Sequence, residues 1–230
     1  MRSLIAALVV LGAAAGTVSA QQINNPASGP TVFVSPFGGG AGAGSDYGQT
    51  FTTPVGFNRL DQFSFMFGGA GSPDNGANLL FSAYITTFNG NNTAGTVLFQ
   101  SAVTAGVSGN TLRSFVFNTG GIAVTAGTKY FAFVDASPYV AGGGAAAYMG
   151  TDYVATPYAG GEFCYNNGIN GNFSNTQTVP WTCGKSDIAF TATFSNRAVV
   201  ATPEPATLGL MGTGLIGIIG FARRKRNAIG

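Results

Sequence analysis

The sequence contains no histidine, and charged side chains are scarce. Its 230 residues include 10 Lys or Arg and 8 Asp or Glu. Without histidine, the Ser–His and Cys–His pairs of nucleophilic enzymes cannot form, and every histidine-based metal site is excluded. The sequence therefore removes the commonest classes of hydrolase and zinc protein.

Catalysis by carboxylates needs no histidine, since a pair of them can hydrolyse a glycoside. The candidates in the second half of the chain are Asp135, Asp152, Glu162 and Asp187. Their spacing does not place any two across a cleft. Solvated loop carboxylates, or a structural calcium site built from them, are the alternatives. We therefore predict a protein that is not an enzyme and has no cofactor, and the sequence identifies no metal ligand.

The charges of residues 21–202 also show no excess of cations. The cations are Arg59, Arg113, Lys129, Lys185 and Arg197, and the anions are Asp46, Asp61, Asp74, Asp135, Asp152, Glu162 and Asp187. This segment is slightly acidic. Because a basic face is missing, the sequence predicts no nucleic-acid partner.

The N-terminal residues have the composition of an export signal. A single cation, Arg2, precedes an apolar stretch at residues 4–15, and small residues at 18–20 provide a cleavage site before Gln21. This pattern is typical of a secretory signal peptide, which we assign to residues 1–20. An uncleaved N-terminal anchor is the alternative.

The C-terminal residues divide into three parts. Residues 198–205 are a linker in which two prolines hold the chain extended and open to a protease. Residues 206–222 carry no charge and are predicted to form a transmembrane helix of about 25 Å, short for a bilayer core of roughly 30 Å. Residues 223–230 are predicted to be a cytoplasmic tail, because cations beside a span stay inside. The cations of this tail are Arg223, Arg224, Lys225 and Arg226.

The triplet Pro203, Glu204 and Pro205, followed by an apolar helix and an arginine-rich cluster, resembles the PEP-CTERM sorting signal of Gram-negative bacteria that make exopolysaccharide. The resemblance covers about 25 residues and matches in order, spacing and position. It implies processing by exosortase, a membrane cysteine protease–transpeptidase, near the triplet. It also implies an inner-membrane intermediate and then delivery to the outer cell surface or extracellular matrix. A permanent tail anchor is the alternative that spacing alone would support.

Between the termini, apolar side chains recur at every second position, which indicates β-strands. The alternating runs are residues 63–67, 79–86, 113–117, 129–135 and 188–194, with shorter candidates at 97–99 and 31–34. Turn-forming residues separate the runs at 72–76, 89–92, 108–110, 118–121 and 126–127. We therefore predict one all-β domain at residues 21–197, an antiparallel β-sandwich of jelly-roll type.

Four segments of this domain add a second, looser resemblance. Gly48–Phe51, Leu60–Phe63, Leu80–Tyr84 and Val124–Tyr130 are similar to segments of the bacterial choice-of-anchor ectodomains. Those domains are secreted β-sandwiches that resemble carbohydrate-binding jelly rolls. The shared residues are mostly core and turn residues, so the resemblance implies fold more than function.

The two cysteines, Cys164 and Cys183, lie on either side of an Asn/Gly-rich loop. In an exported protein an even number of cysteines favours a disulfide, which would stabilise this loop by about 3 kcal/mol. Two free thiols are the alternative, and the spacing is not that of a zinc site. We predict the disulfide.

Aromatic residues cluster with asparagines between residues 139 and 181. Flat rings stack on sugars, and amides bond to hydroxyl groups. The candidate glycan contacts are Tyr153, Tyr158, Tyr165 and Trp181. The alternative is that these rings are packed in the domain with their polar atoms satisfied.

Together these features predict an exported, non-enzymatic protein that exosortase processes and that serves as a structural or adhesive component of the cell surface or exopolysaccharide matrix. The alternative function is a carbohydrate-binding module that holds exopolysaccharide through the aromatics of residues 139–181. The expected partners are exosortase, the membrane (transiently, through the C-terminal helix) and exopolysaccharide.

Overall fold

The computed structural model describes residues 19–27, 29, 37–38, 45–69, 78–109, 111–139, 145–152, 158–169, 172–184 and 186–196. The chain divides into two units, Met1–Asn196 and Arg197–Gly230, and the described residues belong to the first. Residues 1–18 of the predicted signal peptide lie outside them, as do the linker, the transmembrane helix and the basic tail. The last two residues of the predicted signal peptide, Ser19 and Ala20, begin a strand and are exposed.

The described residues form fifteen strands and two short helical turns. The strands are β1 Ser19–Asn25, β2 Phe37–Gly38, β3 Asp46–Thr52, β4 Arg59–Gly69, β5 Leu80–Phe88, β6 Ala94–Gln100, β7 Thr104–Ala105, β8 Arg113–Ala123, β9 Lys129–Asp135, β10 Ala146–Met149, β11 Thr151–Asp152, β12 Phe163–Asn166, β13 Thr182–Gly184, β14 Asp187–Ile188 and β15 Phe190–Asn196. The helical turns are a 3-10 turn at Ser137–Tyr139 and α1 at Asn175–Thr178.

Two antiparallel sheets contain most of these strands. The first has the order β1-β15-β4-β10-β2, and β8 also pairs with β4. The second has the order β13-β12-β3-β9-β5-β6, and β7 also pairs with β5. The short strands β11 and β14 pair separately. The predicted all-β, antiparallel architecture is confirmed; the jelly-roll arrangement remains a prediction.

The core between the two sheets is built from the alternating positions that the sequence indicates. Phe63, Phe65 and Phe67 of β4 are fully buried, and the buried rings of β15 and β5 pack in the same cluster. Four of the five predicted strand runs each correspond to one strand, as does the shorter run at 97–99. The run predicted at 188–194 is divided between β14 and β15, and Ala189 lies in neither. The candidate strand at 31–34 and the predicted turn at 72–76 lie outside the described residues.

The second sheet is also apolar on its outer face. In β9, Tyr130, Ala132 and Val134 join the core between the sheets, whereas Phe131 and Phe133 point to the opposite face because successive residues of a strand alternate. There they join a second cluster, hereafter the outer cluster, whose buried members are Tyr84, Ala94, Phe131, Phe133, Cys164 and Trp181. This sheet is therefore buried on both faces.

One predicted turn is a bulge. Residues 118–121, which we expected to separate two strands, lie inside β8, whose pairing with β4 continues on both sides of Asp61. Gly120 and Gly121 adopt positive φ values of 72° and 79°. Glycines of this conformation serve a bulge as well as a turn, so turn chemistry alone did not distinguish the two.

Hydrogen bonds between loops define one end of the sandwich. The amide of Asn58 donates to the carbonyl of Ser195 at 3.4 Å, and the amide of Val124 donates to the carbonyl of Asn58 at 2.9 Å. Residues 52 and 129 also pair at this end, so Asn196 and the start of β9 lie together. Asp46 and Asp135 lie at the other ends of β3 and β9. They therefore occupy the end of the sandwich opposite to Asn196.

Gly48 of β3 lies beneath the outer cluster, where the backbone of Ala132 and the ring of Phe131 leave no room for a side chain. A β-carbon here would lie 2.5 Å from the carbonyl oxygen of Ala132 and 2.5 Å from Cε2 of Phe131. We expect Gly48→Ala to lower the free energy of unfolding by about 1–3 kcal/mol, because the added methyl overpacks the sheet. Urea denaturation of the purified protein measures the change.

The matched control is Gly90→Ala, since a β-carbon at Gly90 meets nothing within 4 Å. We expect this variant to change stability by less than about 0.5 kcal/mol. Equal effects of the two substitutions would contradict the packing described for Gly48.

Candidate functional site

A disulfide closes a loop over the outer face of the second sheet. Strands β12 and β13 pair so that Cys164 stands directly opposite Cys183, and the two form a disulfide. The disulfide predicted from the sequence is thus confirmed. We call residues 167–182 the flap. The amide side chain of Asn166 donates to the carbonyl of Val179 at 3.1 Å, which holds the flap on the sheet.

Trp181 of the flap is part of the packed outer cluster. Its side chain is 2% exposed, and its ring centroid lies 4.7 Å from that of Phe131 and 5.2 Å from that of Phe133. The indole N–H donates to the carbonyl of Thr176 at 2.9 Å. A buried ring whose N–H is satisfied is packed as in a core. In this structure Trp181 offers no face to a sugar.

The other predicted glycan contacts are dispersed. Tyr165 lies on β12 opposite Tyr47 and packs against the core between the sheets, so it is on the other face of the sheet from Trp181. Tyr158 is half-buried, and its hydroxyl contacts the backbone of Thr52 at 3.3 Å. Tyr153 lies outside the described residues. The structure does not bring Tyr158, Tyr165 and Trp181 onto one surface.

Tyr158 instead lines a groove at the Asn196 end of the sandwich. The groove has a volume of about 400 Å³. Its lining residues are Thr52, Lys129, Tyr158, Ala159, Gly160, Gly161 and Glu162. The ammonium of Lys129 lies 3.6 Å from the carboxylate of Glu162. The groove thus presents a half-buried aromatic ring beside one cation and one carboxylate.

A buried carboxylate fixes the backbone beside this groove. Asp187 accepts hydrogen bonds from the side chain of Gln49 and from the backbone N–H of Tyr158, each at 2.5 Å. Burial raises the pKa of Asp187, and these two hydrogen bonds oppose the rise. The network connects β14 to β3 and to the residues around Tyr158.

The second-half carboxylates are less solvated than the sequence suggested. Asp135, Asp152 and Asp187 are 0%, 7% and 1% exposed, so the expectation of solvated loop carboxylates is wrong for these three. Each lies in a strand whose neighbours exclude water. Glu162 is the partly exposed member, with a side-chain exposure of 34%.

A pair of buried carboxyl groups was missed by sequence reasoning. Asp46 at the start of β3 and Asp135 at the end of β9 are 2% and 0% exposed. They are neighbours across the two strands, since they adjoin the paired residues Tyr47 and Val134 in the antiparallel register. Burial and then the charge of Asp135 raise the pKa of Asp46 well above its ordinary value. Burial also raises the pKa of Asp135, while hydrogen bonding to Ser137 opposes this.

The strand register sets this pair in a polar row across the second sheet. Asn166 of β12 stands opposite Asp46, and Ser82 of β5 stands opposite Asp135. The hydroxyl of Ser82 lies 2.8 Å from that of Tyr139. The one cue in the sequence is that Asp135 occupies the same alternate positions as Phe131 and Phe133, and so belongs to an apolar face. Asp46 has no such cue.

The C-terminal segment matches a known family. Residues 201–226 match the model of the PEP-CTERM protein-sorting motif. The chain carries a PEP-CTERM sorting motif. The match includes Pro203, Glu204 and Pro205 and the basic cluster at 223–226, as the sequence predicted. The motif supports processing by exosortase and export toward the cell surface. It covers 26 of the 230 residues and does not include the β domain.

Two solved structures resemble this chain distantly. The cysteine protease and lectin-like domains of Cwp84, a surface layer associated protein of Clostridium difficile, match with 13% identity and a TM-score of 0.39, over 66% of this chain and 32% of that one. The structure of infectious bursal disease virus Gt strain matches with 14% identity and a TM-score of 0.32, over 84% and 42%. The chain thus spans less than half the length of either. These TM-scores carry no argument about function. No curated protein matches the sequence.

None of the helices among the described residues has the length and apolar character needed to cross a bilayer. The segment 206–222, which the sequence predicts to cross one, lies outside those residues. The transmembrane helix therefore stays a prediction.

The chain has a single tryptophan, so its fluorescence reports on the flap alone. We expect replacement of Cys164 and Cys183 by alanine to lower the free energy of unfolding by about 3 kcal/mol, the entropy estimate for a loop of this length. We also expect Trp181 to become more accessible to acrylamide, because the flap loses its covalent closure. Fluorescence quenching measures the accessibility.

Reduction of the wild-type disulfide provides the control. Dithiothreitol should increase quenching in the wild-type protein and leave the double alanine variant unchanged. Quenching of the oxidised wild type as strong as that of free tryptophan would contradict the buried position of Trp181.

Proposed function

We propose that this protein is a non-enzymatic structural or adhesive component of the outer cell surface or exopolysaccharide matrix of a Gram-negative bacterium, delivered there by exosortase. The observation that carries the proposal is the sorting motif at residues 201–226. In this scheme the signal peptide directs export, and the apolar segment at 206–222 holds the chain transiently in the inner membrane. Exosortase then acts near Pro203, Glu204 and Pro205 and releases the β domain.

The properties of the β domain support a role outside the cell. It contains a disulfide that closes the flap over an apolar cluster, and disulfides persist in oxidising compartments. The whole chain has few charges and 36 glycines. A surface solvated by amides and hydroxyl groups depends little on salt, since screening acts on charges. Such a domain suits a matrix of variable ionic strength.

The distance between the domain and the motif constrains the processing step. Six residues, 197–202, separate Asn196 from Pro203. The seven steps from Asn196 to Pro203 span at most about 25 Å when the chain is extended. Exosortase would therefore act close to the folded domain, and the two prolines would keep the cleavage segment extended.

The triplet is tested by replacing Pro203, Glu204 and Pro205 with alanine in the native host. We expect the variant to accumulate at full mass in the membrane fraction, because the protease loses its recognition segment while the apolar helix remains. Fractionation and intact-mass spectrometry measure the location and the processing.

The matched control is Thr207→Ala, which alters the same segment beside the triplet. This variant should be processed and released like the wild type. If the triple variant were also released at the processed mass, the sorting proposal would fail. If the wild type itself stayed at full mass in the membrane, permanent anchoring would replace it.

A second candidate function is saccharide binding in the groove beside Tyr158. The observation that favours it is the half-buried Tyr158 ring beside the Lys129–Glu162 pair, since sugars combine stacking on rings with polar contacts at hydroxyl groups. Of the four aromatic positions that the sequence suggested, Trp181 is buried and Tyr153 lies outside the described residues. Tyr158 and Tyr165 both pack against the core, and of these two Tyr158 lines the groove.

Retention on immobilised exopolysaccharide from the host tests this second function. Tyr158→Ala should weaken retention about tenfold, equivalent to about 1.4 kcal/mol of binding free energy. Tyr148→Ala is the matched control, since Tyr148 is also half-buried but lies on β10 of the other sheet. Trp181 emission should be unchanged in both variants. Equal retention of the wild type and Tyr158→Ala would contradict the groove as a saccharide site.

A further inference from the structure

The carboxyl pair at the end of the sandwich opposite to Asn196 consists of two buried acids. Asp46 and Asp135 are 2% and 0% exposed. The described residues contain one ion pair, Lys129–Glu162, and it lies at the other end. No described cation therefore balances the two buried acids.

Each carboxyl group has a buried oxygen without a donor partner. These atoms are Oδ2 of Asp46 and Oδ2 of Asp135, which receive no hydrogen bond from a donor group in the described residues. Oδ1 of Asp135 accepts a hydrogen bond from the backbone N–H of Ser137 at 2.7 Å. The two carboxyl groups are close enough for the charge of Asp135 to raise the pKa of Asp46.

An isolated buried carboxylate is strongly unfavourable unless it is paired, protonated or bound to a metal. Two buried carboxylates side by side double this free-energy cost and add the repulsion between like charges. A shared proton neutralises one of the two charges. A divalent cation neutralises both and supplies a partner for both unsatisfied oxygens. A divalent cation is therefore a second way, besides protonation, to neutralise this pair.

We propose that Asp46 and Asp135 bind a divalent metal ion of the hard, oxygen-preferring class, with Ca²⁺ as the ion, at this end of the sandwich. Calcium takes carboxylate, hydroxyl, carbonyl and water oxygens in flexible geometry. The described residues contain no group of three or more His, Cys, Asp or Glu placed to hold a metal. The two carboxylates therefore supply the charge, and neutral oxygens complete the shell.

Neutral oxygens are available next to the pair. Ser82 is opposite Asp135 in the register and is fully buried, and its hydroxyl lies 2.8 Å from that of Tyr139. The 3-10 turn that follows β9 contributes Tyr139. Binding an ion here would connect β3 to β9 and to this turn. It would stabilise the end of the sandwich at which Asn166, the residue before the flap, stands opposite Asp46.

Thermal unfolding of the purified full chain in CaCl₂ and in EDTA tests the site. For wild type we expect calcium at about 100 times its Kd to raise Tm by about 5–10 °C. Asp46→Asn and Asp135→Asn should each abolish this shift. Asp61→Asn is the matched control and should keep it, because Asp61 lies on the other sheet and its carboxylate accepts from Ser195 at 3.0 Å.

The same variants separate a metal ligand from a merely structural residue. In EDTA, Asp46→Asn should unfold at or above the wild-type Tm, because the amide removes one of two buried like charges. A structural role alone would lower Tm equally in EDTA and in calcium. Terbium luminescence, excited through the nearby tyrosines, should appear in the wild type and be lost in Asp135→Asn.

Three results would overturn the proposal. One is a wild-type Tm that is equal in calcium and in EDTA, which would mean that the pair holds a proton only. Another is a calcium shift that persists in both variants, and the third is unaltered terbium emission in Asp135→Asn. If Asp46→Asn does not fold, Asp135→Asn and terbium binding to the wild type decide the outcome.

Discussion

The burial of the second sheet on both faces is the constraint on which the rest of the domain depends. Alternation along a strand sends successive side chains to opposite faces, and in β9 both sets are apolar. One set joins the phenylalanine-rich core between the sheets. The other requires a cover, which the flap provides with Trp181 as its central ring. Three features allow the flap to pack on the outer cluster: the disulfide, the absence of a side chain at Gly48 and the hydrogen bonds of the flap.

This cover determines which polar groups are available for function. It removes Trp181 from the surface and places Asp46 and Asp135 in a dry environment beside the outer cluster. The groove at Tyr158 remains open because it lies at the other end of the sandwich, where β3 ends and β9 begins. The two ends of the sandwich therefore differ in chemistry: one has an open groove with an ion pair, and the other has buried acids without a compensating cation.

The sorting motif and the β domain determine different properties of this protein. The motif is a short linear signal at residues 201–226, outside the β domain. In the proposed function, the β domain carries the contacts that the protein makes after export. The family match assigns a route to the chain. The activity at the end of that route depends on the surface of the domain.

The amino-acid sequence by itself determined the sorting motif, the strands with period-two alternation and the disulfide, because these depend on local patterns: proline spacing, alternation and an even number of cysteines. Strands without such a run, for example β1, β3 and β12, were not predicted. It did not determine which face of each strand is covered. Whether Trp181 binds or packs, whether residues 118–121 form a turn or a bulge, and whether Asp46 meets Asp135 depend on register and on contacts between residues distant in the chain. Those contacts exist only once the sheets have formed, so the tertiary structure alone decided them.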